Sequence, residues 1–368
     1  MNIIYLVSDL RPAGPTNQAF NLITGLKKLN CNPILVTLFE EPRDSWIERF
    51  QNENIDIRQL QLDRRHLREA ANRLETIIND EDVCIVHSSG MSADTVNRYL
   101  KTSAFKITTI RQEFHVIGEN HNKIIQYVSR RISRKNYKAM DVRIACSNFL
   151  AEDVQIATGF SIEAVENGVD VDSFVPVDIS QKKQLRIELG LPVGKKIFIS
   201  TGVFYPRKQM VELAKTFMSI VDSGSILLLV GDGETYNEVK SITSGKDNII
   251  LMGKKADPRP YYQASDFFVS TSLAEGLPNT VIEAMACGLP CVLSDIGPHK
   301  EILGYNRYAG CMFKTLNYDE LRLCILESLN WDVKKKKEAA LDIINSHFSK
   351  YVMAKNYFNI YSRMLENE

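Results

Sequence analysis

Four side chains stand out as able to do chemistry: Glu275, Glu283, Arg207 and Lys208. The two carboxylates lie in the segment Ser272-Leu273-Ala274-Glu275-Gly276-Leu277-Pro278-Asn279, which continues to Gly288-Leu289-Pro290. Pro278 suits the first turn of a helix and Gly288 its C-terminal cap. Glu275 then precedes a helix, and Glu283 lies within it, about 7 Å further along at 1.5 Å per residue. Carboxylates so placed could hold two hydroxyl-bearing parts of one ligand. Backbone N–H groups near Gly276 and Leu277 would suit an anion or a sugar hydroxyl. Arg207 offers a planar fork and Lys208 a compact charge, a pairing suited to an anion. Taken as bare pairs, the carboxylates also read as a helix cap with a solvated Glu, and the cations as a solvated surface feature.

A second group follows an apolar run in the first half of the chain: Arg111-Gln112-Glu113-Phe114-His115. Arg111 could hold an anion, His115 could exchange a proton, and Glu113 could orient a hydroxyl. Each also has a purely structural reading. Residues 121–143 carry Lys123, Arg130, Arg131, Arg134, Lys135, Lys138 and Arg143 against the single acid Asp141. Ile124, Val128 and Ile132 recur every four residues beside a row of Arg130, Arg134 and Lys138, with Tyr127 and Tyr137 as amphipathic rings. This reads as a basic amphipathic helix, either solvated or resting on anionic lipid. The seven cysteines are scattered, with no Cys/His cluster at zinc spacing, so they read as reduced thiols.

The elements that must position these groups are short apolar runs alternating with helical patterns. The expected strands are 3–7, 34–39, 83–87, 106–110 and 142–146, then 197–201, 226–230, 249–252, 267–270 and 291–294. Their flanks do not alternate polar and apolar, as expected for parallel strands buried on both faces. Two such series predict an α/β chain of two doubly wound, Rossmann-like domains facing a central cleft. The expected division is 1–166, then 167–345, then a packing helix in 346–368. Asn167-Gly168 reads as the turn and hinge between the domains. Ligands of such sheets bind at the carboxyl ends of the strands. That directs attention to Gly14, in the loop before a helix expected near Asn17. It also points to Gly202, Gly231, and the pair Gly253-Lys254 after later strands.

Composition narrows the function classes. The chain has 368 residues with 45 basic and 45 acidic side chains. This balance argues against a general nucleic-acid binder, which is usually basic overall. The apolar runs are strand-sized, far below the roughly 20 residues of a membrane span. The first residues read as a core strand, without the basic start and longer apolar core of a secretory signal. No G-x-G-x-x-G or P-loop is present, which disfavours a dehydrogenase.

The segment from Glu275 to Pro290 resembles the E-x7-E motif of retaining GT-B glycosyltransferases of family 4. Thr201-Gly202-Val203-Phe204-Tyr205-Pro206-Arg207-Lys208 is similar to that family's diphosphate loop. Asn167-Gly168-Val169-Asp170 with Phe174 is similar to its crossover, and Asp295-Ile296-Gly297-Pro298-His299-Lys300-Glu301 to its G-x-x-E loop. The resemblance implies a GT-B fold and transfer of a sugar from a UDP- or GDP-sugar to a glycan or lipid-linked acceptor. The setting it implies is bacterial surface polysaccharide synthesis, cytoplasmic or peripheral on the cytoplasmic membrane face. It places Glu275 on the transferred sugar, Glu283 on the ribose, and Arg207 and Lys208 on the diphosphate. Gly14, Gly202, Gly231, Gly253, Lys254, Gly276, Leu277 and Pro278 complete the donor site. Arg130, Arg131, Arg134, Lys135 and Lys138 would meet a membrane or acceptor. No metal or other cofactor is expected, since Arg207, Lys208 and helix dipoles can serve the diphosphate. The chain departs from the family at Arg111, where many relatives carry a His. That motivates an alternative, a catalytically inert partner subunit; a nucleotide-sugar epimerase of the same fold is another.

Overall fold

The structure, a computed structural model, describes residues 1–117, 122–220 and 224–366. It divides into two compact units. One comprises Met1–Gly168 with Lys350–Glu368, the other Val169–Ser349.

Among the described residues, the first unit holds a seven-stranded sheet. Its strands are β1 (Asn2–Val7), β2 (Asn32–Thr37), β3 (Asp56–Gln59), β4 (Ile85–Ser89), β5 (Phe105–Ile110), β6 (Val142–Ala145) and β7 (Glu163–Ala164). They run in the order β3-β2-β1-β4-β5-β6-β7, every pairing parallel. Alternate residues of β1 enter two separate cores. Ile3, Tyr5 and Val7 join one, while Ile4 and Leu6 join the other. Both faces are therefore covered, as a parallel sheet requires.

The second unit holds a six-stranded sheet among the described residues. It contains β8 (Lys196–Thr201), β9 (Ser225–Val230), β10 (Ile249–Gly253), β11 (Phe267–Ser270), β12 (Cys291–Ser294) and β13 (Gly310–Phe313). The order is β10-β9-β8-β11-β12-β13, again wholly parallel. In each sheet the strand order reverses once, between β1 and β4 and between β8 and β11. Loops leaving the carboxyl ends of these strand pairs diverge to opposite faces and leave room for a ligand.

Three strands escaped the sequence pattern: β3, β7 and β13. The first is polar and largely exposed, the second has two residues, and the third is only partly buried. All three lie at or next to a sheet edge, where apolar burial does not shape the sequence.

Four local expectations are corrected. The first helix begins at Gly14, not near Asn17, so Gly14 is its first residue and Pro15 its second. Proline's fixed φ favours that start. Asn167-Gly168 forms no turn. Gly168 is required by close approach: a Cβ there would lie 2.7 Å from the Lys350 Cα. Its N–H donates to Gln18 Oε1 at 3.0 Å, and its carbonyl accepts from Gln18 Nε2 at 2.9 Å and Asn21 Nδ2 at 2.7 Å. Arg143 belongs to β6 rather than to the basic helix, which spans Lys123–Lys138. Its guanidinium donates to the carbonyls of Tyr137 and Met140 at that helix's C-terminus. Tyr137 is buried, not an interfacial ring. His121, the start of the expected basic segment, lies outside the described residues.

The helix Lys350–Glu366 returns to the first unit and packs along the helix Gly14–Lys27. A Cβ on Gly25 would meet the Ala354 Cβ at 2.5 Å, so glycine sets how closely the two helices approach. Met353, Tyr357, Tyr361 and Met364 share a core with β1, β2, β4 and β5.

Candidate functional site

In the second unit, Arg207 and Lys208 sit in a short 3-10 turn, Pro206–Lys208, that follows β8. Glu275 follows β11 on the other side of the switch point. The carboxylate binds both cations: Lys208 Nζ meets Oε1, and Arg207 Nη1 lies 3.2 Å from Oε2. Arg207 Nη1 also donates to the Ala274 carbonyl at 2.6 Å. The Glu275 side chain is 9% exposed and that of Lys208 12%. Burial pushes the Glu275 pKa up, but Lys208 and Arg207 overcome it and hold the carboxyl at about 2. Two cations and one carboxylate leave the cluster with a net positive charge. An arriving anion therefore finds attraction and a pair of donors already fixed in place.

Glu283 lies within the helix Asn279–Ala286, with Pro278 at its N-cap rather than inside its first turn. Gly288, with φ +80°, ends this element. Gly276 and Leu277 take part in interactions of their own, and Leu277 is buried. Glu283 is itself buried, and the Tyr262 hydroxyl lies 3.3 Å from its Oε2. The same hydroxyl is 2.6 Å from Thr201 Oγ1 at the end of β8. One hydrogen-bond chain thus fixes the Glu283 carboxylate against the sheet.

Beside it opens a cavity of about 200 Å3, whose lining includes Gly202, Gly231, Lys254, Tyr262, Thr280 and Glu283. Glycines let the loops after β8, β9 and β10 close up on its floor. Gly202 N–H donates to the Val230 carbonyl, and Gly231 N–H to that of Gly253. A Cβ on Gly231, at φ +151°, would fall 1.9 Å from the Gly202 oxygen. The structure therefore brings together Gly202, Gly231, Gly253, Lys254 and Glu283, with Glu275, Arg207 and Lys208 held on loops at the same sheet edge. Tyr262 was not anticipated: it lies in the helix Arg259–Ala264 before β11, where no motif spacing marks it. His299 was noted only as part of a loop. Its Nδ1–H donates to the Ser294 carbonyl at 2.8 Å, leaving Nε2 as a buried acceptor without a partner among the described residues.

In the first unit, Arg111 follows β5 directly. Its Nε donates to Ser89 Oγ at 3.1 Å, Nη1 to Asn167 Oδ1 at 2.9 Å and Nη2 to Tyr5 Oη at 3.3 Å. His115 is not brought to Arg111. It is 66% exposed, with Nε2 at 3.2 Å from Glu113 and Nδ1 at 4.0 Å from Asp153. Beneath Arg111, His87 is fully buried, bonded to Tyr361 Oη at 2.6 Å and Thr109 Oγ1 at 2.7 Å. Burial and the Arg111 charge push its pKa down to about 3, so its ring is neutral.

The helix Lys123–Lys138 is capped by Asn122, whose side chain accepts from the amides of Ile124 and Ile125. It packs through polar groups, Asn136 Nδ2 donating to Thr95 Oγ1 at 3.0 Å. Ile124, Ile125, Tyr127 and Val128 are exposed. Arg131, Arg134, Lys135 and Lys138 are exposed on the same helix, and Arg130 is half-buried. Arg130 donates to the His115 carbonyl and Arg131 to Tyr127 Oη. No helix of the described residues is long and apolar enough to cross a membrane.

Comparison with known proteins places these features. Residues 12–173 match the model described as "Glycosyltransferase Family 4", and residues 195–330 that described as "Glycosyl transferases group 1". An Escherichia coli UDP-Gal:alpha-D-GlcNAc-diphosphoundecaprenol alpha-1,3-galactosyltransferase is 28% identical over 211 residues, 55% of this chain and 52% of that protein. A Campylobacter jejuni N,N'-diacetylbacillosaminyl-diphospho-undecaprenol alpha-1,3-N-acetylgalactosaminyltransferase is 26% identical over 208 residues, 54% of each. The chain thus matches about half the length of these curated relatives. Among solved structures, a glycosyltransferase from Rickettsia africae superimposes with a TM-score of 0.82 at 20% identity, covering 100% of this chain and 99% of the other. Anabaena HepE in complex with UDP gives 0.81 at 16% identity, covering 99% and 100%. The chain belongs to the family 4 glycosyltransferases and has their GT-B fold.

Proposed function

We propose that the protein is a retaining, metal-independent glycosyltransferase that moves a sugar from a nucleotide-diphosphate sugar to a hydroxyl of a glycan or lipid-linked acceptor. The observation that carries this reading is the cavity beside Glu283, set at the same sheet edge as the cluster of Arg207, Lys208 and Glu275. Glu283 accepts from the ribose hydroxyls, with Tyr262 holding it in place. The diphosphate takes Arg207 and Lys208 from Glu275 in part. The freed Glu275 oxygens then accept from hydroxyls of the transferred sugar. At a pKa of about 2 Glu275 stays ionised, so it orients and stabilises charge but delivers no proton.

In the reaction the bond from the anomeric carbon to the phosphate oxygen breaks. The acceptor oxygen bonds to that carbon on the same face, and its proton passes to the departing phosphate. The protein's share is positioning and stabilising the growing diphosphate charge. UDP-sugars are the first candidates, because the E. coli relative is named for UDP-Gal and HepE was solved with UDP. The lipid-linked acceptors named for the bacterial relatives support a role in surface polysaccharide synthesis at the cytoplasmic membrane face. The exposed apolar and basic side chains of the helix Lys123–Lys138 would rest on anionic lipid there.

Replacing Glu283 or Arg207 by Ala is expected to weaken nucleotide-sugar binding beyond detection in calorimetry, with the thermal transition retained. Unchanged affinity in both variants would refute the assignment.

A further inference from the structure

We propose that Arg111 is an anion-binding residue, and that the acceptor carries a phosphate or carboxylate group where it meets the first unit. This rests on the glycosyl-transfer reading and narrows its acceptor class. Arg111 stands at the carboxyl end of β5, beside β4 and close to the point where the strand order reverses. Its three hydrogen bonds go to a serine hydroxyl, an asparagine carbonyl and a tyrosine hydroxyl. These partners come from the end of β4, from the chain after β7 and from β1. All three are neutral, and among the described residues none of the guanidinium's bonds goes to a carboxylate. The nearby acid Glu113 is engaged with His115 instead. A guanidinium has five N–H donors, so two remain without a bond among the described residues.

The partners make Arg111 rigid and leave its charge uncompensated. Neutral acceptors satisfy N–H groups, but a partly buried cation without a counter-ion keeps a desolvation cost that a ligand anion would offset. The guanidinium fork matches the paired oxygens of a phosphate or carboxylate.

Ser89, the partner of Nε, is followed by Gly90 and the helix Met91–Tyr99. That helix has no side-chain cap but carries the buried acid Asp94 in its first turn, so the positive charge of this corner rests on Arg111. Gly90 has φ +100°, and no atom lies within 4 Å of where its Cβ would be. The approach to the helix start is therefore open. An acceptor phosphate or a uronic-acid carboxylate fits the chemistry equally.

The test uses the full chain with Arg207 and Lys208 replaced by Ala, which silences the anion site of the second unit. Methyl phosphate, glucuronate and neutral methyl glucoside are titrated by ligand-observed NMR. At least one of the two anions is expected to bind, and the neutral glycoside not. Phosphate alone identifies a phosphorylated acceptor, glucuronate alone a uronic acid. Adding Arg111→Gln is expected to weaken the anion about tenfold or more, whereas Arg111→Lys retains most of the binding. Absence of anion binding in the Arg207→Ala, Lys208→Ala background would overturn the proposal, as would equal binding with Arg111→Gln. The first of these outcomes does not depend on how the Arg111 variants fold. Nucleotide-sugar binding by the unaltered chain is measured in parallel. Its absence would sink the transferase reading and with it the acceptor assignment, leaving Arg111 as an anion site only, while its presence without an anion site would sink only the proposal.

Discussion

Glu275 and His87 show how burial and neighbouring charge set opposite outcomes for single residues. Glu275 is buried yet held at about 2 by Lys208 and Arg207. Its contribution to stability is present above its ordinary value near 4.5 and is lost only as pH falls toward 2. His87 behaves differently. Its pKa is lowered from 6.5 to about 3, so it stays neutral in the fold while the unfolded chain takes up a proton below 6.5. The native state therefore loses stability as pH falls from 6.5 toward 3. At pH 5 this residue alone costs about 2 kcal/mol, from 1.36 kcal/mol per pH unit. Urea denaturation at pH 7.5 and pH 5 should show a smaller acid loss in His87→Gln than in the parent. An equal loss in both would contradict the assignment. That Glu275 would meet Arg207 and Lys208, and that Glu283 would line a cavity, was legible from the motifs around them rather than from bare spacing. Tyr262 and the partners of Arg111 were not, because they come from distant strands that only the sheet order brings together.

At the scale of elements, strands buried on both faces were readable from continuous apolar runs, as in β1, β8 and β9. Their ends and the edge strands were not. The helix Gly14–Lys27 starts where Pro15 permits, not where apolar spacing begins. The basic helix is the instructive case. Its apolar row beside basic residues suggested a face either solvated or resting on anionic lipid, and the structure seats the helix through Ser133, Asn136 and Tyr137 and exposes Ile124 and Val128. An apolar stripe facing outward beside lysines is what an anionic lipid surface requires. Sedimentation with vesicles containing phosphatidylglycerol should carry the protein down, and pure phosphatidylcholine should not. At about 1 kcal/mol per basic residue, replacing Lys135 and Lys138 by Ala should weaken binding about thirtyfold. Equal binding to both vesicle types would contradict the role given to this helix.

At the scale of the molecule, a net charge of zero conceals segregation. Positive charge gathers on one helix, around Arg111, and at Arg207 and Lys208. The chain's path also matters. The first unit is completed by its last helix, whose Tyr357 and Tyr361 are fully buried against β1, β4 and β5. Each such buried side chain contributes roughly 1.5–3 kcal/mol, against a total stability of about 5–15 kcal/mol. Ending the chain at Ser349 should abolish the cooperative transition of the first unit and expose Met1–Gly168 to limited proteolysis. Retention of protease-resistant residues 1–168 would contradict this. The central claim, that the second unit holds a nucleotide-diphosphate sugar, is tested most directly by calorimetric titration of the intact protein with UDP-, GDP- and ADP-sugars. Saturable binding of at least one, lost in Glu283→Ala, is the expected result. No binding to any of the three, or binding that survives Glu283→Ala unchanged, would contradict it.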